Sequence, residues 1–456
     1  MRKIYLFVLM LLSFGQYCFA QFQVGSVTVT PRTLSGNLSV IWELVWGPDN
    51  FIWMTERYGR ISRVNPATGQ VIPLITIPDV LQTGEGGLLG MALHPDFSQS
   101  PYVYVAYTYS KNGTATEKLV RFTYNGTVLN SPLILLDNIN AASIHDGSRL
   151  LILPDNTLLM TTGDASNTSL SQNLNSLNGK ILRLNLDGSI PNANPFPGSY
   201  VYSYGHRNPQ GLVKGPNGRW YSSEHGPSND DELNEIVPHR NYGWPTVQGF
   251  CNTTAEQTFC SANNVKEPLA AWTPTLAVAG ITYYNHPEIP DWQNSILMTT
   301  LKGERLVQLA LNPTGNAITS QSVYLNGVYG RLRSICTSPD GKVYIGTSNR
   351  DGRGTPAATD DRIIVLENLA ANPTGLKENS NEPAFSVISD AATKQLYLKF
   401  PETYRQEKVS IHALTGQKIL EETVPASLKL EMKVQHLPAG MYLIRAGKNS
   451  RKVILQ

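Results

Sequence analysis

Four short segments of this 456-residue chain share one pattern: Pro48-Asp49-Asn50-Phe51-Ile52-Trp53, Pro154-Asp155-Asn156-Thr157-Leu158-Leu159, Pro216-Asn217-Gly218-Arg219-Trp220-Tyr221 and Pro339-Asp340-Gly341-Lys342-Val343-Tyr344. Each sets a tight Asp-Asn or Asn/Asp-Gly turn before a strand-like run, which signals a hairpin. The gaps are roughly 106, 62 and 123 residues, close to two, one and two steps of ~58. Five such steps join six units, which predicts a six-bladed propeller of four-stranded blades. Helical periodicity is nearly absent. An irregular β-sandwich or barrel is the alternative, but about 340 residues is large for one.

The propeller is predicted over residues 21–369, ending near Asp361-Arg362-Ile363-Ile364-Val365-Leu366, whose alternation suits a closing strand. Residues 370–383 are rich in Asn, Pro, Gly and Glu and read as a linker. Over residues 384–456, short alternating runs such as Leu396-Tyr397-Leu398-Lys399-Phe400 and Met441-Tyr442-Leu443-Ile444-Arg445 read as a small C-terminal β-sandwich, so the chain is expected to be all-β. Met1-Arg2-Lys3, an apolar run to Phe14 and Cys18-Phe19-Ala20 read as a secretory signal peptide over residues 1–20. That run is too short to span a bilayer, and no other segment is long enough. A secreted or cell-surface protein with no transmembrane segment is therefore expected. A formal charge of +2 gives no reason to expect a nucleic-acid or anionic-membrane partner. Cys251 and Cys260 bracket a short polar loop and can pair after export, while Cys336 reads as a buried structural thiol.

The stretch from Tyr204 to Pro245 is the densest in chemistry. It contains Gly205-His206-Arg207-Asn208-Pro209-Gln210-Gly211, Glu224-His225-Gly226-Pro227, Asp230-Asp231-Glu232-Leu233-Asn234 and Asn241-Tyr242-Gly243-Trp244-Pro245. So much Gly, Pro and Asn with few aliphatics reads as consecutive loops outside the core, shaped for close approach to a ligand. Exposed carbonyls beside carboxylates suit a hard cation, and an Arg suits an anionic cofactor or substrate. His145 in Ile144-His145-Asp146-Gly147 is either a general base or an exposed loop histidine. Asp164, ending Thr161-Thr162-Gly163-Asp164, either fixes that imidazole's tautomer or caps a turn. Arg331 and Arg333 would share one strand face. Together with Lys302 and Arg207 they would form a cationic pocket for a polycarboxylate or phosphate. For any one of these cations alone, a solvated edge strand with surface ion pairs is the plainer alternative.

Taken with Gly84-Glu85-Gly86-Gly87-Leu88-Leu89-Gly90-Met91-Ala92-Leu93-His94-Pro95-Asp96-Phe97 and Asn178-Gly179-Lys180-Ile181-Leu182-Arg183, these segments resemble the soluble pyrroloquinoline-quinone-dependent sugar dehydrogenases. The resemblance runs from about Val29 to Leu366. It implies a six-bladed propeller with a tricarboxylate quinone (PQQ) on its axis, oxidising aldose sugars at C1 to lactones and passing electrons to an external acceptor. By position, His145 resembles the base that takes the C1 hydroxyl proton while hydride passes to quinone C5, and Asp164 the carboxylate that supports it. Gln172, Arg207, Asn208, Lys302, Arg331 and Arg333, with Thr275 and Glu85, fall where the family binds cofactor. Gly226 and Pro227 match the pair whose main-chain oxygens hold a catalytic calcium, a Lewis acid on the quinone carbonyl. Glu232 and Tyr242 fall where relatives bind a structural calcium.

Some positions depart from the family pattern. Glu85 stands where the glucose-specific branch carries Gln, and the stretches 165–176 and 249–272 are shorter than in that branch. Both shortenings resemble the broader aldose dehydrogenases, with a more open sugar site. Leu437-Pro438-Ala439-Gly440-Met441-Tyr442 through Lys452-Val453-Ile454-Leu455 resembles the C-terminal sorting domain of the type IX secretion system, which implies recognition by that machinery. A surface-binding module is the alternative there. For the propeller, one rival is a calcium-dependent lactonase or hydrolase, which would not need Lys302, Arg331 and Arg333 together. The other is a non-catalytic sugar-binding propeller, which would not need the His145/Asp164 pair.

Overall fold

The computed structural model describes residues 21–369 and, beyond them, 385–390, 395–400, 408–413, 417–438, 440–446 and 449–455. The signal segment 1–20 and the linker 370–383 lie outside the described residues. The chain divides into two compact units, residues 1–368 and 369–456.

Unit one contains six antiparallel sheets, here blades 1 to 6, whose innermost strands are Ile41–Trp46, Leu88–Leu93, Gly147–Ile152, Pro209–Lys214, Val278–Tyr284 and Leu332–Thr337. Each innermost strand packs on the next and the sixth packs on the first, so the blades form a closed six-bladed ring. Apolar side chains fill the gap between each pair of neighbours. Trp53, Val105 and Phe122 lie between blades 1 and 2, and Trp292, Leu297, Ile345 and Leu366 between blades 5 and 6. Because both faces of a blade are covered, strands such as Ile52–Glu56 and Ser295–Thr300 are buried along their whole length. Each large side chain so buried contributes about 1.5–3 kcal/mol.

The repeated turns fall between the first and second strands of blades 1, 3, 4 and 6. At their tips Asn50, Asn156, Asn217 and Gly341 take φ of 60°, 60°, 55° and 82°. That is the left-handed region, which Asn and Gly enter at least cost. Blades 2 and 5 connect these strands by longer segments, 94–101 and 285–294, and so escape the motif.

The propeller ends where expected, unit one closing at residue 368, but the expected alternation at 361–366 needs correction. Ile363–Glu367 is the third strand of blade 6, buried throughout rather than alternating, and its outer partner comes from the other end of the chain. Val27–Ser35 pairs with it antiparallel, Arg32 opposite Val365, and Arg32 meets Glu367 at 3.2 Å. Asp361, fully buried, accepts hydrogen bonds from the amides of Val40 and Asn349 and from the Thr347 hydroxyl, tying blade 1 to blade 6.

Two further expectations are revised. The segment 204–245 is not a run of loops outside the core, since it contains Pro209–Lys214, Trp220–Glu224 and Asp231–Ile236 of blade 4, the last wholly buried. Its carboxylates tolerate burial because main-chain amides and side chains engage them: Asp231 accepts from Gly226, Leu276 and Val278, and Glu224 from His206 and Arg207. Cys251 and Cys260 do pair. Most of what they bracket, however, is the start of a helix, Thr254–Ala262, opened by a reciprocal Thr253/Glu256 capping box.

In unit two, Ser386–Asp390, Gln395–Lys399 and Lys429–Lys433 form one sheet. Lys418–Thr423, Lys408–Ala413, Gly440–Ala446 and Asn449–Leu455 form another. Leu396, Leu398, Val409, Ile411, Met432 and Ile444 share one core between them, the β-sandwich expected.

Candidate active site

The end of the ring opposite the repeated turns carries the connections into each innermost strand and those between second and third strands. Glu85, His145, Asn208, Thr275 and Arg331 lie just before innermost strands, while Asp164, Gly226, Pro227 and Lys302 lie in second-to-third-strand connections. Antiparallel pairing therefore delivers all of them to one end. Two adjoining hollows of about 500 and 300 Å³ open there, and Glu85, Ile144, His225, Ala277, Arg331 and Arg353 line both. His145, Arg207, Gly226, Pro227, Asp231, Thr275 and Lys302 complete the larger one. A bigger hollow of about 640 Å³ opens at the opposite end, walled by inner-strand residues such as Leu44, Leu150, Leu212 and Ile281. The titratable groups converge on the two smaller hollows, and chemistry is assigned there.

One wall holds the base. His145 has φ of 67°, and its side chain is 13 % exposed. Its Nδ1 lies 2.8 Å from Asp164 Oδ1, and its main-chain N–H donates to Glu85 Oε2 at 3.3 Å. An ionised carboxylate only accepts, so Nδ1 carries the proton and Nε2 is left as the free acceptor. Gly163 allows this approach, since a Cβ there would fall 1.8 Å from the His145 carbonyl oxygen. Asp164 is fully buried; its Oδ1 also accepts from the Ser166 amide and its Oδ2 from Trp244 Nε1 at 2.9 Å.

The facing wall is cationic. Arg331 Nε meets Asp351 Oδ2 at 2.8 Å, and Arg333 NH2 lies 3.8 Å from the same oxygen. The two therefore share a face, as expected. Burial pulls the Arg333 guanidinium down to about 10, with Asp351 opposing. Lys302 reaches Thr275 Oγ1 at 3.3 Å, and Arg207 reaches the His225 carbonyl at 3.1 Å; neither forms an ion pair among the described residues. Asn208 is fully buried with its Nδ2 unpartnered. Glu85 pairs with Arg353 at 3.1 Å. Burial acts against its charge, but His225, Arg353 and Arg333 outweigh that and hold the carboxyl below its usual range.

Gly226 and Pro227 line the larger hollow, and neither main-chain oxygen accepts a hydrogen bond among the described residues. No three His, Cys, Asp or Glu side chains converge in a metal-holding group among the described residues. A cation here would be held by carbonyls, as suits a hard ion. Glu232 and Tyr242 line a void of about 10 Å³ next to the larger hollow, with which it shares Arg207, His225, Gly226 and Pro227; it has room for one ion or water. The Tyr242 hydroxyl is engaged by the Glu235 carbonyl and the Val237 amide, which leaves its main-chain oxygen for any cation. Burial, together with Glu224, pushes the Glu232 carboxyl up to about 8.

Gln172 does not line either hollow. Its amide exchanges hydrogen bonds with Asn241 and donates to the Trp244 carbonyl at 2.7 Å. Sequence reasoning gave no role to Arg57, His225, Asp351, Arg353 or Trp244. The run Asn349-Arg350-Asp351-Gly352-Arg353-Gly354, cationic and Gly-rich after a strand, carried a usable signal for two of them. Ser203, His206 and Glu224 form a hydrolase-like line, with Oγ–Nε2 and Nδ1–Oε2 both 2.9 Å, but all three are buried and no substrate can reach the serine.

A base backed by a carboxylate, in a hollow with more cations than paired carboxylates, suits oxidation of an alcohol with a polyanionic acceptor. Residues 38–359 match the family described as glucose/sorbosone dehydrogenase. The chain belongs to that family. Quinoprotein glucose dehydrogenase B of Acinetobacter calcoaceticus is 34 % identical over 400 residues, covering 68 % of this chain and 84 % of that protein. The aldose sugar dehydrogenase YliI of Escherichia coli is 31 % identical over 350 residues, covering 71 % and 91 %. The PQQ-bound aldose sugar dehydrogenase of Streptomyces coelicolor superposes with a TM-score of 0.66 at 37 % identity, covering 74 % and 98 %. This glucose/sorbosone dehydrogenase is thus a PQQ-dependent sugar oxidoreductase. Residues 392–456 match the secretion-system C-terminal sorting domain, which marks the chain for export to the surface or medium. No helix among the described residues is long and apolar enough to cross a membrane.

Proposed function

We propose that this dehydrogenase oxidises aldoses at C1 to lactones, with His145 as general base and calcium at the Gly226 and Pro227 carbonyls. The reading rests on one observation: His145, backed by the buried Asp164, lines the same hollow as Arg207 and Lys302, which form no ion pair among the described residues. Arg207, Lys302, Arg331 and Arg333 would hold the cofactor's carboxylates and oxygens, Thr275 orienting Lys302, with Asn208, fully buried and lining neither hollow, behind them. Bound there, the quinone supplies the hydride acceptor and calcium a Lewis acid beside it.

The chain's own part is proton handling and orientation. Nε2 of His145 takes the C1 hydroxyl proton, and Asp164 stabilises the imidazolium that forms. The Glu85 carboxylate holds the base loop through the His145 amide. Electrons leave to an external acceptor. An N-terminal signal peptide and removal of the sorting domain complete the proposed route of export.

Reduction of a redox dye by purified apo-protein with a panel of aldoses tests the reading. Activity that needs both added PQQ and calcium is expected, with lactone as product. Activity without calcium would refute the carbonyl site, and an open-chain acid formed directly would refute oxidation of the cyclic sugar at C1.

A further inference from the structure

We infer that Trp244 is a positioning residue for His145, acting through Asp164, and that Gln172 serves it one step further out. The inference builds on His145 as the base. Asp164 Oδ1 faces the imidazole, so something must keep the carboxylate from turning its other oxygen there. Trp244 Nε1 does so at 2.9 Å from Oδ2. An indole N–H can only donate, so this contact has one sense and cannot exchange roles with the His145 side.

The indole is itself fixed on several sides. The Trp244 amide donates to the Gly205 carbonyl at 3.0 Å, and its carbonyl accepts from Gln172 Nε2. Gln172 Oε1 accepts in turn from Asn241 Nδ2 at 2.9 Å, closing the loop. Gly205 permits the packing, since a Cβ there would lie 2.1 Å from Asn241 Oδ1. The Arg207 guanidinium lies 5.2 Å from the indole ring centre. One side chain thus holds the base's carboxylate by its edge and faces a cofactor-side cation with its ring. The charged and titratable groups around the pair are Glu85, Asp146, Arg207 and Glu224, and, lining the same hollow, His225, Asp231, Lys302, Arg331 and Arg353; a Trp-to-Phe exchange leaves all of them in place.

Loss of the indole donor concentrates the Asp164 charge on its remaining contacts, which stabilises the protonated imidazole and raises its affinity for the proton. Trp244→Phe keeps the ring over Arg207 and removes only the N–H. The expected result is a fall in kcat of about tenfold, as for other outer partners of functional histidines. The acid limb of the kcat–pH profile should move to higher pH, with unchanged PQQ affinity. NMR titration of the His145 imidazole in apo-protein, assigned with His145→Gln, should show the same upward move and needs no turnover. An unmoved imidazole titration overturns the inference. A moved titration with unmoved kinetics upholds the positioning and instead removes His145 from the base role. Should Trp244→Phe fail to fold by circular dichroism, Gln172→Leu should give the same displacement, smaller; no displacement there also overturns the inference.

Discussion

The two walls of the catalytic cavity differ in how complete they are. On the base wall both Asp164 oxygens are occupied, and the His145 loop is pinned by Glu85. On the cationic wall Lys302 and Arg207 form no ion pair among the described residues, Arg331 and Arg333 divide one carboxylate between them, and Asn208 keeps a buried unpartnered donor. Each buried donor left unmade costs about 1–3 kcal/mol, so this wall is at its most stable only when filled. One wall is organised before any ligand arrives, and the other is completed by it. Catalytic geometry and cofactor affinity should therefore separate on mutation.

His145→Ala should separate them most sharply, lowering kcat by about 10²–10⁴ while PQQ affinity holds. Equal loss of affinity, read by quinone titration, would erase the distinction between the walls. Arg331→Ala should do the converse and weaken PQQ binding by one to two orders of magnitude, the worth of about 1.5–3 kcal/mol for a charged hydrogen bond. Turnover should partly return at excess cofactor; unchanged affinity would show that the cationic wall does not take the quinone.

A smaller effect concerns Asp146, beside the base and buried at 3 % exposure with Oδ2 unpartnered. Burial, aided by Glu85 against the Ala142 amide, raises its carboxyl from an ordinary 3.8 to about 7. The folded state thus binds the proton more tightly than the unfolded one, so stability falls as pH rises from about 4 to 7 and stays lower above. Asp146→Asn should raise Tm at pH 8 and leave it unchanged near pH 4. A gain of equal size at both pH values would mean that ionisation is not the cause. Reduction of Cys251–Cys260 should have the least effect on activity: its loop spans 9 residues, and short loops gain least from closure.

The sequence announced the ring through turn chemistry, because Asn and Gly at left-handed tips cannot be exchanged freely, and blades with longer turns stayed silent. His145, Asp164 and the cations each had an ordinary loop or edge reading alone; it was their joint resemblance to one family that singled them out, and the fold brings His145, Arg207, Lys302 and Arg331 to one hollow. Burial was not legible: Asp231 and Glu232 look solvent-facing in a polar run, yet cross-strand partners at Trp272 and Ala271 enclose them. The supporting contacts of Gln172, Trp244 and Asn241 join positions about seventy residues apart, a separation over which no local pattern operates.

The clasp that closes the ring joins residues 335 apart, Arg32 and Glu367. At synthesis rates of about 5–20 residues per second, the edge at 27–35 waits roughly 17–67 s for its partner. Through that interval an unpaired edge strand is open to any other chain. Only after Ile363–Glu367 arrives can a vectorially emerging polypeptide hide it, and the sorting module at 392–456 follows immediately. Chain order places the sorting module after the ring's closing pair, so a chain that carries the module already carries both strands of the clasp.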